Sequence, residues 1–107
     1  MMETDNSVKG TKFKLNVYMP PMEGHHLEDV DFECLVFVEN GIKNKKILKK
    51  DAIRVDADNY MICVDSSMLG AGRYWMTMTA YIPDSDCDDG IRPEIKTRFT
   101  GVTINAR

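Results

Sequence analysis

Acidic residues at alternate positions form the first candidate functional site in this sequence. Asp84, Asp86 and Asp88 lie in the stretch DSDCDDG, and carboxylates at alternate positions are how a calcium-binding loop begins. The match then stops, because Asp89 occupies the position of the required glycine and Ile95 that of the bidentate glutamate. We therefore favour a solvated acidic turn, in which aspartates cap local backbone groups, and keep calcium as the alternative.

Two adjacent histidines form the second candidate. His25 and His26 lie near Glu23, Glu28 and Asp29 in the sequence. Imidazole and carboxylate groups are common metal ligands, so this segment could contain a metal site. Neighbouring side chains on an extended loop point in different directions, however, so chelation by this pair needs an ordered scaffold. We favour a polar loop over a metal site, and we expect a pH-sensitive contact there because histidine titrates near neutrality.

Nucleophilic and phosphate-binding chemistry has little support. Ser66 and Ser67 fall in a predicted turn, without the strand, nucleophile and helix arrangement of a hydrolase. The segment Gly70-Ala71-Gly72 is too short for a phosphate fingerprint and precedes a predicted strand, where such loops precede a helix. We expect no enzymatic activity and no cofactor.

The cysteines are an odd number, without the close spacing of zinc sites or disulfide frameworks. Cys34 and Cys63 lie in apolar strand-like runs and are predicted to be small buried hydrophobes. Cys87 lies among carboxylates, which disfavour its thiolate. We predict three free thiols, none of them catalytic.

Aromatic residues offer a binding surface instead. Trp75, Tyr81 and Tyr18 could present an exposed face to carbohydrate or protein, because aromatics are enriched at the centres of binding sites. The alternative for Trp75 is core packing, which we favour because a sandwich of this size commonly buries its single tryptophan.

Length, net charge and composition indicate a single domain and argue against nucleic-acid-binding and membrane-spanning proteins. A chain of 107 residues is the size of one domain. Its net charge of -3 argues against nucleic-acid binding. The one basic cluster, Lys43 to Lys50, lacks an aromatic platform and is typical of an edge strand or turn. The longest apolar run, residues 34–38, is far short of the roughly 20 residues of a membrane span. The first ten residues have no secretory pattern, so we expect synthesis in a cytoplasm.

Alternating apolar and polar residues predict the strands. The pattern is clearest over residues 12–19 and 74–82, and further strands are predicted over 30–38, 60–64 and 94–104, with one or two short edge strands over 47–55. These segments, separated by turns, predict an all-β, immunoglobulin-like antiparallel β-sandwich of about seven strands, with a small open barrel as the alternative. Residues 1–10 are predicted to be a flexible N-terminal arm, and residues 11–107 a single domain.

The segment from Tyr60 to Glu94 resembles a known class of proteins in three of its pieces. The pieces VDSSMLGAG, RYWMTMTAYIP and the D-x-D-x-x-D-G loop with Arg92 and Glu94 resemble small β-sandwich virion proteins of crAss-like and related Bacteroides phages and mobile elements. These include head-fibre, capsid-decoration, tail-fibre and baseplate-adaptor modules. The resemblance implies a symmetric assembly component of a virion, made in the cytoplasm of a bacterial host, with no catalytic residue to transfer.

Two functional hypotheses follow. The first is a non-enzymatic virion protein that forms a homo-oligomer, dimer or trimer, and docks on capsid or fibre subunits through its N-terminal arm and exposed strand edges. The second is a cell-surface or glycan-binding module that presents Trp75, Tyr81 or the acidic loop. Neither hypothesis includes a nucleic-acid or membrane partner.

Overall fold

Eight strands form two sheets that pack face to face. The structure, a computed structural model, describes the backbone of residues 6–8 and all of residues 12–105. The strands are β1 (Asn6–Val8), β2 (Lys12–Tyr18), β3 (Asp31–Val38), β4 (Asn44–Leu48), β5 (Ile53–Asp56), β6 (Asn59–Asp65), β7 (Gly72–Pro83) and β8 (Ile91–Asn105). The larger sheet has the order β1-β8-β7-β3-β4 and the smaller has the order β2-β6-β5. Among the described strands, only β1 and β8 pair in parallel. The predicted immunoglobulin-like antiparallel β-sandwich is confirmed, since this is how such folds divide their strands between sheets.

The core lies between the two sheets and follows the period-two pattern of the strands. One side chain in two along β2, β3, β6 and β7 is buried. Aromatic rings meet edge to face across the interior, Phe13 with Tyr74 at 5.1 Å and Phe32 with Tyr60 at 5.0 Å between centroids. Apolar burial of this kind stabilises a sandwich by roughly 1.5–3 kcal/mol per large side chain.

A short helical turn leads into the central strand β7. The helix α1 (Ser66–Leu69) is capped by Asp65, whose carboxylate accepts a hydrogen bond from the Ser67 amide at 2.9 Å. The buried Tyr74 hydroxyl then donates to the Gly70 carbonyl at 2.6 Å. A tyrosine near the start of this strand that bonds to backbone just upstream is a feature of immunoglobulin-like domains. The hydrogen bond from Tyr74 to Gly70 therefore stabilises the turn that precedes β7.

The chain changes sheets between β4 and β5 through the 3₁₀ turn Lys49–Asp51. The Lys49 ammonium anchors this crossover, because it donates to the backbone carbonyls of Glu28 and Val30 at 2.8 and 2.7 Å. These carbonyls belong to the segment around a second 3₁₀ turn, Leu27–Asp29, which enters β3. One lysine therefore ties both connections together. The Lys-rich β4 lies at one edge of the larger sheet, in agreement with the predicted edge strand.

Most predicted boundaries agree with the observed ones. The predicted edge segment 47–55 is two strands, divided at the 3₁₀ turn, and its first strand begins earlier, at Asn44. The last strand begins at Ile91, three residues before the prediction. Most of the predicted arm lies outside the described residues, and Asn6–Val8 within it pairs with residues 103–105.

Candidate interaction surface

The outward side of the larger sheet carries rows of apolar and threonine side chains. Inward residues of β3 and β7 are buried, so the residues between them face outward. Strand pairing sets Phe37, Trp75 and Phe99 in one row, and Leu35, Thr77 and Thr97 in the next. We call these six residues the aromatic face. Each keeps part of its side chain accessible, and the face presents the mixture of rings and methyl groups that protein partners contact.

Polar contacts hold Trp75 in place at the end of this face. Its indole nitrogen donates to the Glu39 carboxylate at 3.0 Å, and its ring lies 5.6 Å from that of Phe99 at a tilt of 52°. The Arg73 guanidinium lies 4.6 Å from the Phe99 centroid and 3.6 Å from Glu39. The prediction that Trp75 packs in the core is wrong. The opposite side of β7, with Tyr74 and Met76, is buried instead.

A bulge between β7 and β8 places Phe99 beside Trp75. The register shifts between Arg73 and Trp75, opposite Gly101, which has a φ of 87°. Glycine adopts positive φ without steric cost, because it has no Cβ. The Thr100 hydroxyl donates to the Tyr74 carbonyl at 2.8 Å and accepts from the Val102 amide at 3.1 Å, so it satisfies backbone groups at the bulge. Gly101 and Thr100 therefore stabilise the bulge that places Phe99 on the outward side of the sheet.

The three predicted aromatic residues do not converge. Tyr81 lies on the same side of β7 as Trp75 but six residues away, which is about 20 Å along a strand. Partial desolvation raises the pKa of Tyr81, and the neighbouring Glu33 carboxylate adds to this effect. Tyr18 is exposed on the smaller sheet, where it borders a shallow cleft. Only Trp75 and Tyr81 share a surface.

The cleft is too small for a typical ligand. Its volume is about 70 Å³, against roughly 300 Å³ or more for ligand pockets. Its walls come from the end of β2 and from the inward sides of β7 and β8, and they are Tyr18, Met19, Pro20, Met22, Met78, Glu94 and Lys96. A binding partner would therefore contact the broad outward surface of the larger sheet in preference to this small cleft.

The acidic loop is organised around an arginine. Asp84 and Glu23 each form an ion pair with Arg92, and Glu94 accepts from its Nε at 3.0 Å. Asp84 also accepts from the Asp86 amide at 2.9 Å; this bond, with the arginine, lowers its pKa. No three His, Cys, Asp or Glu side chains among the described residues are placed to hold a metal ion. The Asp84 carboxylate is instead engaged in holding the loop.

The histidine pair divides into two different environments. His26 Nδ1 lies 2.9 Å from the Asp58 carboxylate. This hydrogen bond, with the attraction of the same carboxylate, raises the pKa of His26. His25 makes a backbone bridge with Met22. The contact joins the Leu27–Asp29 turn to the β5–β6 turn, and the expected pH dependence there stays a prediction.

The thiols are partly as predicted. Cys34 is buried, and burial raises its pKa to about 12. The prediction that Cys63 is buried is wrong, because Tyr60, Ile62 and Val64 take the inward positions of β6 and Cys63 faces outward. Cys87 is half-buried in the acidic loop. All three are free thiols.

Sequence reasoning missed most of the aromatic face. Phe37 lies in a run that is apolar on both sides, so its outward orientation was not evident. Phe99 follows a charged stretch, and only the pairing of β7 with β8 shows that it adjoins Trp75. The available signal is the pair of threonines, Thr77 and Thr79, that follow Trp75 at alternate positions, since a side of β7 that carries hydroxyls is the less apolar one.

Comparison with known proteins finds no matching family model, curated protein or solved structure. In the part of the chain that the structure describes, none of the helices has the length and apolar character needed to cross a membrane.

Proposed function

We propose that this protein is a non-enzymatic structural component of a phage virion, a capsid-decorating head fibre or a fibre or baseplate attachment module. In this proposal it docks on a neighbouring virion protein through the aromatic face. The observation that carries the proposal is the row of Phe37, Trp75 and Phe99 on the outward side of the larger sheet.

The shape and chemistry of the aromatic face favour a macromolecular partner. Rows on adjacent strands form a broad surface, and neighbouring strands are only about 4.8 Å apart. Trp75 and Phe99 supply the rigid apolar anchors that contribute most at interfaces. Ion pairs border these rows, Arg73 with Glu39 and Lys46 with Glu33. An apolar centre with a polar rim is the usual anatomy of a protein interface.

The resemblance of the segment from Tyr60 to Glu94 to phage virion proteins supports the virion setting. A sandwich that presents one broad face and open strand edges is suited to repeated placement on a particle, since symmetric assemblies use the same surface many times. We therefore expect the protein on purified particles of the phage whose genome encodes it.

Alanine variants of the face test this function. Trp75→Ala and Phe99→Ala should each lower the amount of tagged protein that co-sediments with particles at least tenfold, which corresponds to about 1.4 kcal/mol. Tyr18→Ala is the matched control, because Tyr18 is an exposed aromatic on the other sheet. Melting curves of all three establish that they fold. Absence of the wild-type protein from particles, or equal loss with Tyr18→Ala, would contradict the proposal.

A second candidate function is glycan binding, which one observation favours. Trp75 and Phe99 form an adjacent, partly exposed ring pair beside Glu39 and Arg73. Aromatic rings beside hydrogen-bonding groups are suited to stack on sugars. A glycan array distinguishes the two functions: a signal that Trp75→Ala abolishes favours glycan binding, and an array without signal leaves the virion proposal ahead.

A further inference from the structure

The longest open strand edge of the described chain lies on β8. Residues 91–99 of β8 pair with β7, while β1 covers only residues 103–105 on the other side. Within the described residues, the backbone from 91 to 101 therefore has a neighbouring strand on one side alone. An open edge of this kind presents a row of donors and acceptors to which another strand can pair.

This open edge carries opposite charge at its two ends. At the start of β8, the carboxylates of Glu23, Asp84 and Glu94 surround the single guanidinium of Arg92, so negative charge is in excess. Further along, Lys96 and Arg98 follow, both exposed. An antiparallel copy of the same edge would set the acidic end of each chain against the basic end of the other. Such complementarity favours one alignment and disfavours displaced ones.

Apolar residues on the outward side of the same strand are also self-complementary. Ile91 and Ile95 are exposed, Ile95 by 62%, and Phe99 lies half-buried on the same side. They are spaced four positions apart, so a two-fold axis at Ile95 brings Ile91 of each copy against Phe99 of the other. Aromatic and β-branched residues opposite one another are favourable cross-strand pairs.

We propose that two copies of this protein pair through the open edge of β8, antiparallel, about a two-fold axis at Ile95. The opposed residues across the two copies are Ile91 with Phe99, Arg92 with Arg98, Pro93 with Thr97, Glu94 with Lys96, and Ile95 with its counterpart. The pairing joins the two larger sheets into one continuous sheet. Because the axis is perpendicular to that sheet, both aromatic faces lie on the same side.

Features that block indiscriminate pairing are consistent with this register. Pro93 has no amide hydrogen and so removes one donor, and inward charges on an edge discourage pairing with an apolar strand. In the register centred on Ile95, Glu94 is opposite Lys96. Arg98 is opposite Arg92, whose charge is exceeded by its three carboxylate partners. The charges that repel unrelated strands therefore attract a second copy.

The dimer deepens the proposed function, on which its biological use rests. Two aromatic faces on one side let both copies engage adjacent virion subunits, and a second contact then forms intramolecularly at a raised effective concentration. The pairing itself depends only on the β8 edge, so it can be tested in the purified protein without any virion partner.

Engineered cysteines test the register directly. Cys63 and Cys87 are first replaced by serine, because both are accessible or partly so. Ile95→Cys then sets two thiols opposite each other, where Cα atoms are about 4.5–5.5 Å apart and a disulfide can form. Thr97→Cys is the matched control, on the same strand and side. In the proposed dimer the two cysteines at position 97 are offset by four residues along the strands, about 13 Å. This distance is too long for a disulfide.

The expected result with oxidised glutathione is a disulfide-linked dimer for Ile95→Cys and a monomer for Thr97→Cys on non-reducing gels. Light scattering should give twice the 12.2 kDa chain mass for the wild type, and the single mass for Ile95→Glu, which opposes two carboxylates at the axis. Ile53→Glu, at a 60% exposed isoleucine on the other sheet, should remain dimeric.

A monomeric wild type, or equal cross-linking of both cysteine variants, overturns the pairing. These outcomes are separate from a failure of the proposed function. Trp75 packs on Phe99 of the β8 edge, so the variant that separates the two outcomes is Phe37→Ala, on β3, which β7 separates from β8. Phe37→Ala should lose particle binding and keep the dimer mass. Dimerisation without any particle binding would support the pairing and contradict the virion role.

Discussion

Replacing Lys49 by methionine tests whether one side chain holds the sheet-to-sheet crossover. The change keeps the apolar stem and removes the ammonium that bonds the carbonyls of Glu28 and Val30. Hydrogen bonds to charged groups contribute about 1.5–3 kcal/mol each. Because Lys49 is only half-buried, water can replace part of this, and we expect a net loss of about 2–3 kcal/mol for the pair.

A loss of this size is a large part of the stability of a small domain, about 5–15 kcal/mol. Urea titration should show a lower midpoint with an unchanged slope, and the melting temperature should fall by roughly 10–20 °C. Lys50→Met is the matched control, since it is the adjacent lysine and is exposed. If Lys49→Met and Lys50→Met unfold within about 0.5 kcal/mol of each other, the reasoning about the anchor is refuted.

Two further predictions concern the histidine contact and a close approach of two strands. Because the folded pKa of His26 is raised above its ordinary value of 6.5 by Asp58, the contact stabilises the fold fully below about pH 6.5 and is lost as pH rises through the folded pKa. Urea midpoints should therefore fall across that window in wild type and not in His26→Asn; parallel curves would contradict the contact. Gly72→Ala should destabilise by about 1–3 kcal/mol, since an added Cβ would overlap Val38 Cγ1 at a φ of 134°. Thermal melts with Gly101→Ala, which adds a Cβ in open space at positive φ, separate crowding from backbone strain; equal losses would refute the crowding.

The sequence was sufficient for the fold where alternation is clean. In β2 and β7 the buried side is almost wholly apolar, so period two identifies both the strand and its face. Breaks in the same pattern marked the division between β4 and β5. The error at Cys63 was avoidable, because Tyr60, Ile62 and Val64 already formed the inward set. At Trp75 the local alternation of β7 decides the orientation, against the general tendency of a sandwich to bury its tryptophan.

Contacts between distant residues could not be predicted in the same way. Arg92 and Glu23 are 69 positions apart, and nothing local in either segment indicates that they meet. The open edge of β8 depends on which strands are neighbours, a property of the whole sheet. Phe99 reaches the aromatic face only through the bulge at Gly101. Local propensity predicts elements, while long-range pairing decides which of their surfaces remain open.

Lysine footprinting of particles tests the central claim most directly. Lys46 borders the aromatic face through its ion pair with Glu33, and Lys14 is exposed on the smaller sheet. Particles and the free protein are labelled with an amine-reactive reagent, and modification at both lysines is read by mass spectrometry. Docking through the aromatic face predicts the protein on particles with Lys46 protected and Lys14 labelled as in the free protein. Absence from particles, or protection of Lys14 with Lys46 fully labelled, would contradict the account.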